Sequence, residues 1–261
     1  METAIRKGVS FMGKLDGKVA IVTGGGTGIG KAIAETSAKE RAKVVIVGRR
    51  EEKLKQVCDN NSGISYVVAD ITKTDNIKNI IKYVDDNFGG QLDILVNNAG
   101  WCPVAPLKEL SIADYDKAFN LDVRALVEMT IESLPLILKS KGNIINLSTV
   151  GATHRAPNLS MYIGGKGAVE NFTRCWALEL AADGVRVNAI APGAIKTDIW
   201  NVPGLSEEES KKHQEGIIKG IPCGRMAEPY EVANVALFLA SNDASYVSGA
   251  IYAVDGASGA V

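Results

Sequence analysis

A chain of 261 residues suits one large α/β domain or two small ones. Hydrophobic residues make up 46% and the formal net charge is -1, so a sizeable core is available and nothing points to nucleic acid or an anionic membrane as partner. Cys58, Cys102, Cys175 and Cys223 follow neither metal-like nor disulfide-like spacing, and His154 and His213 are the only histidines. The cysteines read as free thiols of a reducing, cytoplasmic protein, with no metal site.

In chain order, residues 1–17 read as a poorly ordered extension. Their basic residues Arg6, Lys7 and Lys14 precede no apolar run of signal-peptide length, and no stretch approaches a membrane span. From residue 18 to 261 short β-rich runs alternate with helical patterns. Lys18–Val22, Lys43–Val47, Ser65–Val68, Ile94–Val96, Asn143–Leu147, Arg186–Ile190 and Ala250–Val254 read as seven strands. Ala32–Lys39, Asn76–Asn87, Tyr115–Leu138 and Ala168–Ala182 read as amphipathic helices between them. This alternation predicts a single-domain, Rossmann-type, doubly wound α/β fold with a parallel sheet. Residues 197–221 interrupt the pattern and are expected to form a substrate lid.

The first strand runs straight into Thr23-Gly24-Gly25-Gly26-Thr27-Gly28-Ile29-Gly30, and a helix follows. Gly24 allows a sharp turn, Gly28 a close backbone approach to a pyrophosphate, and Gly30 close helix–sheet packing. Strand before and helix after are the context that a dinucleotide reading requires. The second strand ends Val47-Gly48-Arg49-Arg50. Gly48 stands where NAD enzymes of this fold place a carboxylate for the ribose hydroxyls, and Arg49 with Arg50 follows. A guanidinium suits a 2′-phosphate, so NADP(H) is favoured over NAD(H), although Thr27 supplies no second basic group in the glycine turn.

Tyr162 and Lys166 are four residues apart, a spacing that puts both on one helix face. A free phenol has a pKa of ~10 and is a poor base at neutral pH. A lysine charge about 4 Å away is worth roughly 4 kcal/mol, which would bring the phenol down towards neutrality.

Several motifs now stand in one order: Thr23–Gly30, Asp70-Ile71 after the third strand, Asn97-Asn98-Ala99-Gly100 after the fourth, and Asn120 in the next helix. Ser148-Thr149, Tyr162/Lys166, Pro192-Gly193, Ile195 and Thr197 follow. Over residues 15–256 the chain resembles the short-chain dehydrogenase/reductase family. The resemblance implies an NAD(P)(H)-dependent enzyme interconverting a secondary alcohol and a ketone. Tyr162 would be the acid/base, Lys166 its partner and a ribose ligand, and Asn120 the anchor of a proton-relay water. Asp70 would contact the adenine, with Asn98, Ala99 and Gly100 packing on the cofactor. The substrate-polarising hydroxyl would be Thr149, thirteen residues before the tyrosine, with Ser148 as the alternative.

Trp101, Cys102, Thr153, His154, Arg155 and Trp200 would wall the substrate space. They suggest a bulky apolar substrate such as a hydroxysteroid. A 3-oxoacyl thioester, a sugar or a xenobiotic carbonyl remains open, as does an exposed-loop reading of His154 and Arg155. A non-catalytic dinucleotide sensor is the other functional class, and the intact Tyr162/Lys166 pair speaks against it. Apolar residues on more than one side of the long helix and on the helix of Tyr162 predict a homotetramer or homodimer.

Overall fold

A computed structural model describes residues 13–198 and 207–260. Seven parallel strands form one sheet in the order β3-β2-β1-β4-β5-β6-β7. They are β1 Val19–Thr23, β2 Lys43–Gly48, β3 Ile64–Val68, β4 Ile94–Asn97, β5 Asn143–Leu147, β6 Arg186–Pro192 and β7 Ile251–Val254. The expected doubly wound fold is present, with strand ends shifted by a residue or two. Helices cover both faces, which is why the central strands are apolar throughout instead of alternating. Ala20, Val22, Val44 and Ile46 face one core with α1 (Gly28–Lys39), α2 (Glu51–Asp59) and α8 (Pro229–Ala240). Val19, Ile21, Val45 and Val47 face the other, with α3 (Thr74–Phe88), α5 (Ala125–Ser140) and α6 (Ser160–Leu180).

Local chemistry sets several element ends. Ser111 and Asp114 make a reciprocal capping box at the start of α4 (Ile112–Phe119). Gly89, at φ 62°, closes α3 in the left-handed conformation. Pro229 opens α8, where Glu228 and Glu231 form a second capping box. Arg225 clamps Glu231 through two bonds of 2.7 and 2.8 Å. Those bonds hold the Glu231 carboxyl at about 2.

Three readings need correction. The expected helix Tyr115–Leu138 is α4 and α5 joined by a five-residue π-helical turn, Asn120–Arg124. Apolar periodicity does not report which carbonyl an amide chooses. The domain also begins before residue 18. Leu15 is fully buried, and its N–H donates to Glu40 O at 3.1 Å. Residues 1–12 lie outside the described residues. The excess apolar surface of α5 is partly satisfied within the chain, since Leu126 and Met129 are buried. Ile131 and Leu178 remain exposed, and Phe172 stacks on Trp176 at 5.4 Å between centroids. Of the expected lid, α7 (Glu207–Lys219) is described, while residues 199–206 lie outside the described residues. Among the described residues no helix is long and apolar enough to cross a membrane.

The C-terminal turn carries a local strain. Ala257 sits at φ 68°, where a Cβ is unfavourable by roughly 1–2 kcal/mol. Ala257→Gly is expected to stabilise the protein by about 1 kcal/mol and raise Tm by about 2–4 °C. Differential scanning calorimetry of the variant measures this directly; an unchanged or lower Tm would show that the turn carries no such cost.

Candidate active site

The carboxyl ends of β1 to β4 open onto a cleft of about 450 Å³ at the switch point between β1 and β4. The glycine turn forms its floor. Gly24 and Gly28 have φ of 67° and 55°, a conformation open to glycine at little cost. A Cβ at Gly24 would lie 2.9 Å from Asn98 Nδ2, and one at Gly28 would lie 3.1 Å from Thr197 Cγ2. A Cβ at Gly30 would collide with Asn98 Nδ2 and Gly24 O. Thr23 pins this corner, its Oγ1 accepting from the N–H groups of Asn98 and Ala99 at 3.0 and 3.1 Å. Asn98 Nδ2 returns a bond to Thr23 O at 2.8 Å. The result is a side-chain-free cradle in front of the N-terminus of α1, which fits the diphosphate of a dinucleotide.

At one end of the cleft stand Gly48, Arg49, Arg50 and Lys53. Arg50 reaches back to the glycine turn and donates to Thr27 Oγ1 at 3.3 Å. A guanidinium from the start of α2 thus lies beside the glycine turn. Lys53 was not anticipated; on α2 it reads as one of several solvated charges. Asp70 and Ile71 line the same end. Burial opposes ionisation of Asp70, but the N–H and hydroxyl of Thr72, with Arg49 and Lys73 nearby, hold its carboxyl below its ordinary value.

Gly100, Leu121, Thr197 and Asp198 line other parts of the cleft. Behind Gly100 lies a buried charged cluster. A Cβ there would sit 2.7 Å from Asp122 Oδ1 and 3.4 Å from Lys166 Nζ. Lys166 is buried and donates to Leu147 O at 2.8 Å. Burial lowers its pKa, against which Asp122 and Cys102 act. Its Nζ lies 5.7 Å from the Tyr162 ring centroid.

The Thr149 hydroxyl lies near the Tyr162 phenol and favours its ionised form. Thr149 Oγ1 accepts from Gly151 N at 3.3 Å. Ser148 faces elsewhere, donating to the buried Glu170 at 2.9 Å. Geometry thus puts Thr149 against the tyrosine and gives Ser148 a structural partner. The simple electrostatic expectation for Tyr162 fails. Burial pushes the phenol up, and Cys102 and Asp122 add to that push. The ammonium's own burial disfavours its charge.

Asn120 opens the π turn, and its Oδ1 accepts from Arg124 NH1 at 3.3 Å. Pro192 ends β6, and Gly193 packs so closely on Asp255 that a Cβ would lie 2.8 Å from its Cα. Ile195 is buried and pairs with Ala227 in an isolated bridge. Gly193 and Ile195 thus hold the chain from β6 to Thr197 without lining the cleft themselves.

Of the expected substrate wall, Trp101 and Cys102 flank Gly100, with Lys117 Nζ 3.9 Å above the Trp101 ring centroid. Burial, with Asp122, pushes the Cys102 thiol up to about 11. Thr153, His154 and Arg155 form the exposed loop. His154 Nδ1 pairs with Thr153 Oγ1 at 3.3 Å, and Arg155 donates to the Thr153 carbonyl. Trp200 lies outside the described residues. Among the described residues no group of three or more His, Cys, Asp or Glu could hold a metal ion.

A family model described as enoyl-(acyl carrier protein) reductase matches residues 24–257. The chain belongs to the short-chain dehydrogenase/reductase family. It is 35% identical over 248 residues to a 3-oxoacyl-(acyl-carrier-protein) reductase of Thermotoga maritima, covering 93% of this chain and 98% of the relative. It is 36% identical over 250 residues to a hydroxynaphthalene reductase of Aspergillus fumigatus, covering 91% of each. Among solved structures, a 3-ketoacyl-(acyl-carrier-protein) reductase of Brucella melitensis complexed with NADH superposes with a TM-score of 0.87 at 32% identity. That alignment covers 94% of this chain and 99% of the other. The chain is accordingly an NAD(P)-dependent oxidoreductase acting on CH–OH or C=O groups.

Proposed function

We propose that this enzyme is an NADP(H)-preferring reductase of ketones flanked by apolar or aromatic carbon. The observation that carries the reading is the buried Lys166, whose Nζ lies 5.7 Å from the Tyr162 ring centroid and faces Gly100, a residue lining the glycine-floored cleft. The relatives' names cover 3-oxoacyl and hydroxynaphthalene substrates. They lend no support to the hydroxysteroid expected from His154 and Arg155, whose polar groups are turned onto Thr153. Trp101 favours a flat, apolar substrate.

The cleft residues would hold the dinucleotide, with the glycine turn at its phosphates and Asn98, Ala99 and Gly100 along it. When bound, it supplies the hydride. Thr149 donates to the substrate oxygen and aligns it with Tyr162. Tyr162 gives its proton to that oxygen during reduction and takes it back during oxidation. A phenol held up by burial is a proton donor at neutral pH, which suits ketone reduction. Lys166, held by Leu147 O, presents its remaining N–H groups towards the ribose and the tyrosine. Asn120, released from α-helical bonding by the π turn, holds a relay water.

Positioned acid–base catalysis contributes about 10²–10⁴-fold. Tyr162→Phe is therefore expected to lose at least a hundredfold in kcat with cofactor affinity nearly intact. Thr149→Val should lose activity similarly. Ser148→Ala should keep most turnover but lose about 1–3 kcal/mol of stability, because Glu170 loses a buried partner. Turnover is read at 340 nm on a 3-oxoacyl thioester, 2-tetralone and a 3-ketosteroid. Full activity of Tyr162→Phe would refute the reading, and the preferred ketone identifies the substrate class.

Arg49, Arg50 and Lys53 gather three cations where a 2′-phosphate would lie, and Gly48 leaves no carboxylate to repel it. Arg49→Ala is expected to weaken NADPH about tenfold to a hundredfold while barely changing NADH. Fluorescence titration with both cofactors checks this. A native preference for NADH would overturn the assignment.

Exposed Ile131 and Leu178 and the Phe172–Trp176 stack favour burial of α5 and α6 against a second copy, as expected for a homotetramer. Light scattering during size-exclusion chromatography gives the mass; an active 27.7 kDa monomer would contradict this.

A further inference from the structure

Asp122 has no assigned task, yet it occupies the centre of the charged cluster. It is almost fully buried, in the π turn two residues after Asn120. Its Oδ1 accepts from Trp101 N–H at 2.8 Å, while its Oδ2 is buried without a hydrogen-bond partner among the described residues. Such an arrangement is costly unless a charge is wanted there. The carboxylate and the Lys166 ammonium approach the same glycine, Gly100, which lines the cleft. Gly165, on the helix of Tyr162 and Lys166, packs towards the Asp122 Cβ, with 3.9 Å left for a Cβ of its own.

We propose that Asp122 is a positioning residue: it fixes the Gly100–Cys102 loop through Trp101 N–H and supplies the negative charge against which Tyr162 and Lys166 work. The inference rests on the acid/base reading above. Asp122 is the buried residue of the π turn, two positions after the half-buried Asn120.

The titratable and charged groups facing Asp122 are Cys102 from the loop after β4, and Tyr162 and Lys166 from α6. Lys117 of α4 lies over Trp101. Within the turn itself, Arg124 is exposed and paired with Glu128 at 3.4 Å. An anion at 122 opposes ionisation of the phenol and of the Cys102 thiol and favours the ammonium. During ketone reduction the phenol must be protonated, so activity falls as pH rises through its pKa. Removing the anion lowers that pKa and moves the alkaline limb to lower pH.

Asp122→Asn keeps an oxygen for Trp101 N–H and removes only the charge. Asp122→Ser also removes the charge, with a side chain too short to keep the Trp101 N–H bond. Two readouts separate charge from structure. Cys102 is a reporter that needs no substrate: its alkylation by iodoacetamide is followed against pH by peptide mass spectrometry, with exposed Cys175 and Cys223 as internal controls. In the variants the Cys102 midpoint is expected to fall by about one pH unit from its native value while the controls stay put. The alkaline limb of 2-tetralone reduction with NADPH should move the same way. An unshifted Cys102 midpoint in both variants overturns the proposal, as does failure of both to fold by circular dichroism. Fully active Tyr162→Phe would sink the acid/base reading while leaving the Cys102 result to be judged separately.

Discussion

The site depends on a chain of buried amide and hydroxyl groups that crosses the sheet. Asn97 and Asn146 are register partners at the ends of β4 and β5. Asn97 Nδ2 donates to Asn146 Oδ1 at 2.9 Å and to Thr130 Oγ1 at 3.0 Å. Asn146 Nδ2 donates to Thr173 Oγ1 at 2.9 Å. The hydroxyls of Thr130 and Thr173 then donate to Leu126 O and Val169 O, each one turn back in its own helix. One continuous path therefore locks α5, β4, β5 and α6 together. Each bond contributes only about 1 kcal/mol net, but leaving one buried group unpaired costs about 1–3 kcal/mol. Partial disruption is worse than none, so the four elements hold one relative register.

That register is what brings the reacting groups together. Helix α6 carries Tyr162 and Lys166, and α5 continues the π turn that carries Asn120 and Asp122. Asn98, Ala99 and Gly100 follow Asn97 directly. A slip of any one element would move a proton donor relative to the cleft. Positioning of this kind supplies much of an enzyme's advantage and cannot be assembled from mobile parts.

Electrostatically the molecule is divided. The outer end of the cleft is cationic and hydrated, with Arg49, Arg50 and Lys53 on short, solvated elements. Beside Gly100, Asp122 and Lys166 are buried, and Tyr162 is half-buried. In water these charges would scarcely feel one another. Inside, burial itself becomes the largest influence on Tyr162, Lys166 and Asp122. Lysine four residues after a tyrosine therefore does not by itself make an acidic phenol. What surrounds the pair decides the direction.

By itself the sequence determined the sheet and the glycine turn and singled out Tyr162 and Lys166 as a pair, because these rest on local rules. Apolar β-branched runs make buried parallel strands, strand–glycine–helix makes a phosphate cradle, and four-residue spacing puts Tyr162 beside Lys166. Tertiary structure alone decided the rest. Ser148 and Thr149 are adjacent in sequence and point in opposite directions, so only the packing of α6 on β5 shows which meets the tyrosine. Arg50, at the start of α2, reaches the glycine turn at Thr27. Leu15 belongs to the core because Glu40, far along the chain, receives its amide. Asp122 has no local signature, and only the fold buries it against Gly100 and Trp101 N–H. In each case the deciding partner lies on another element or in a change of hydrogen-bond register, and neither leaves a mark on local composition or periodicity.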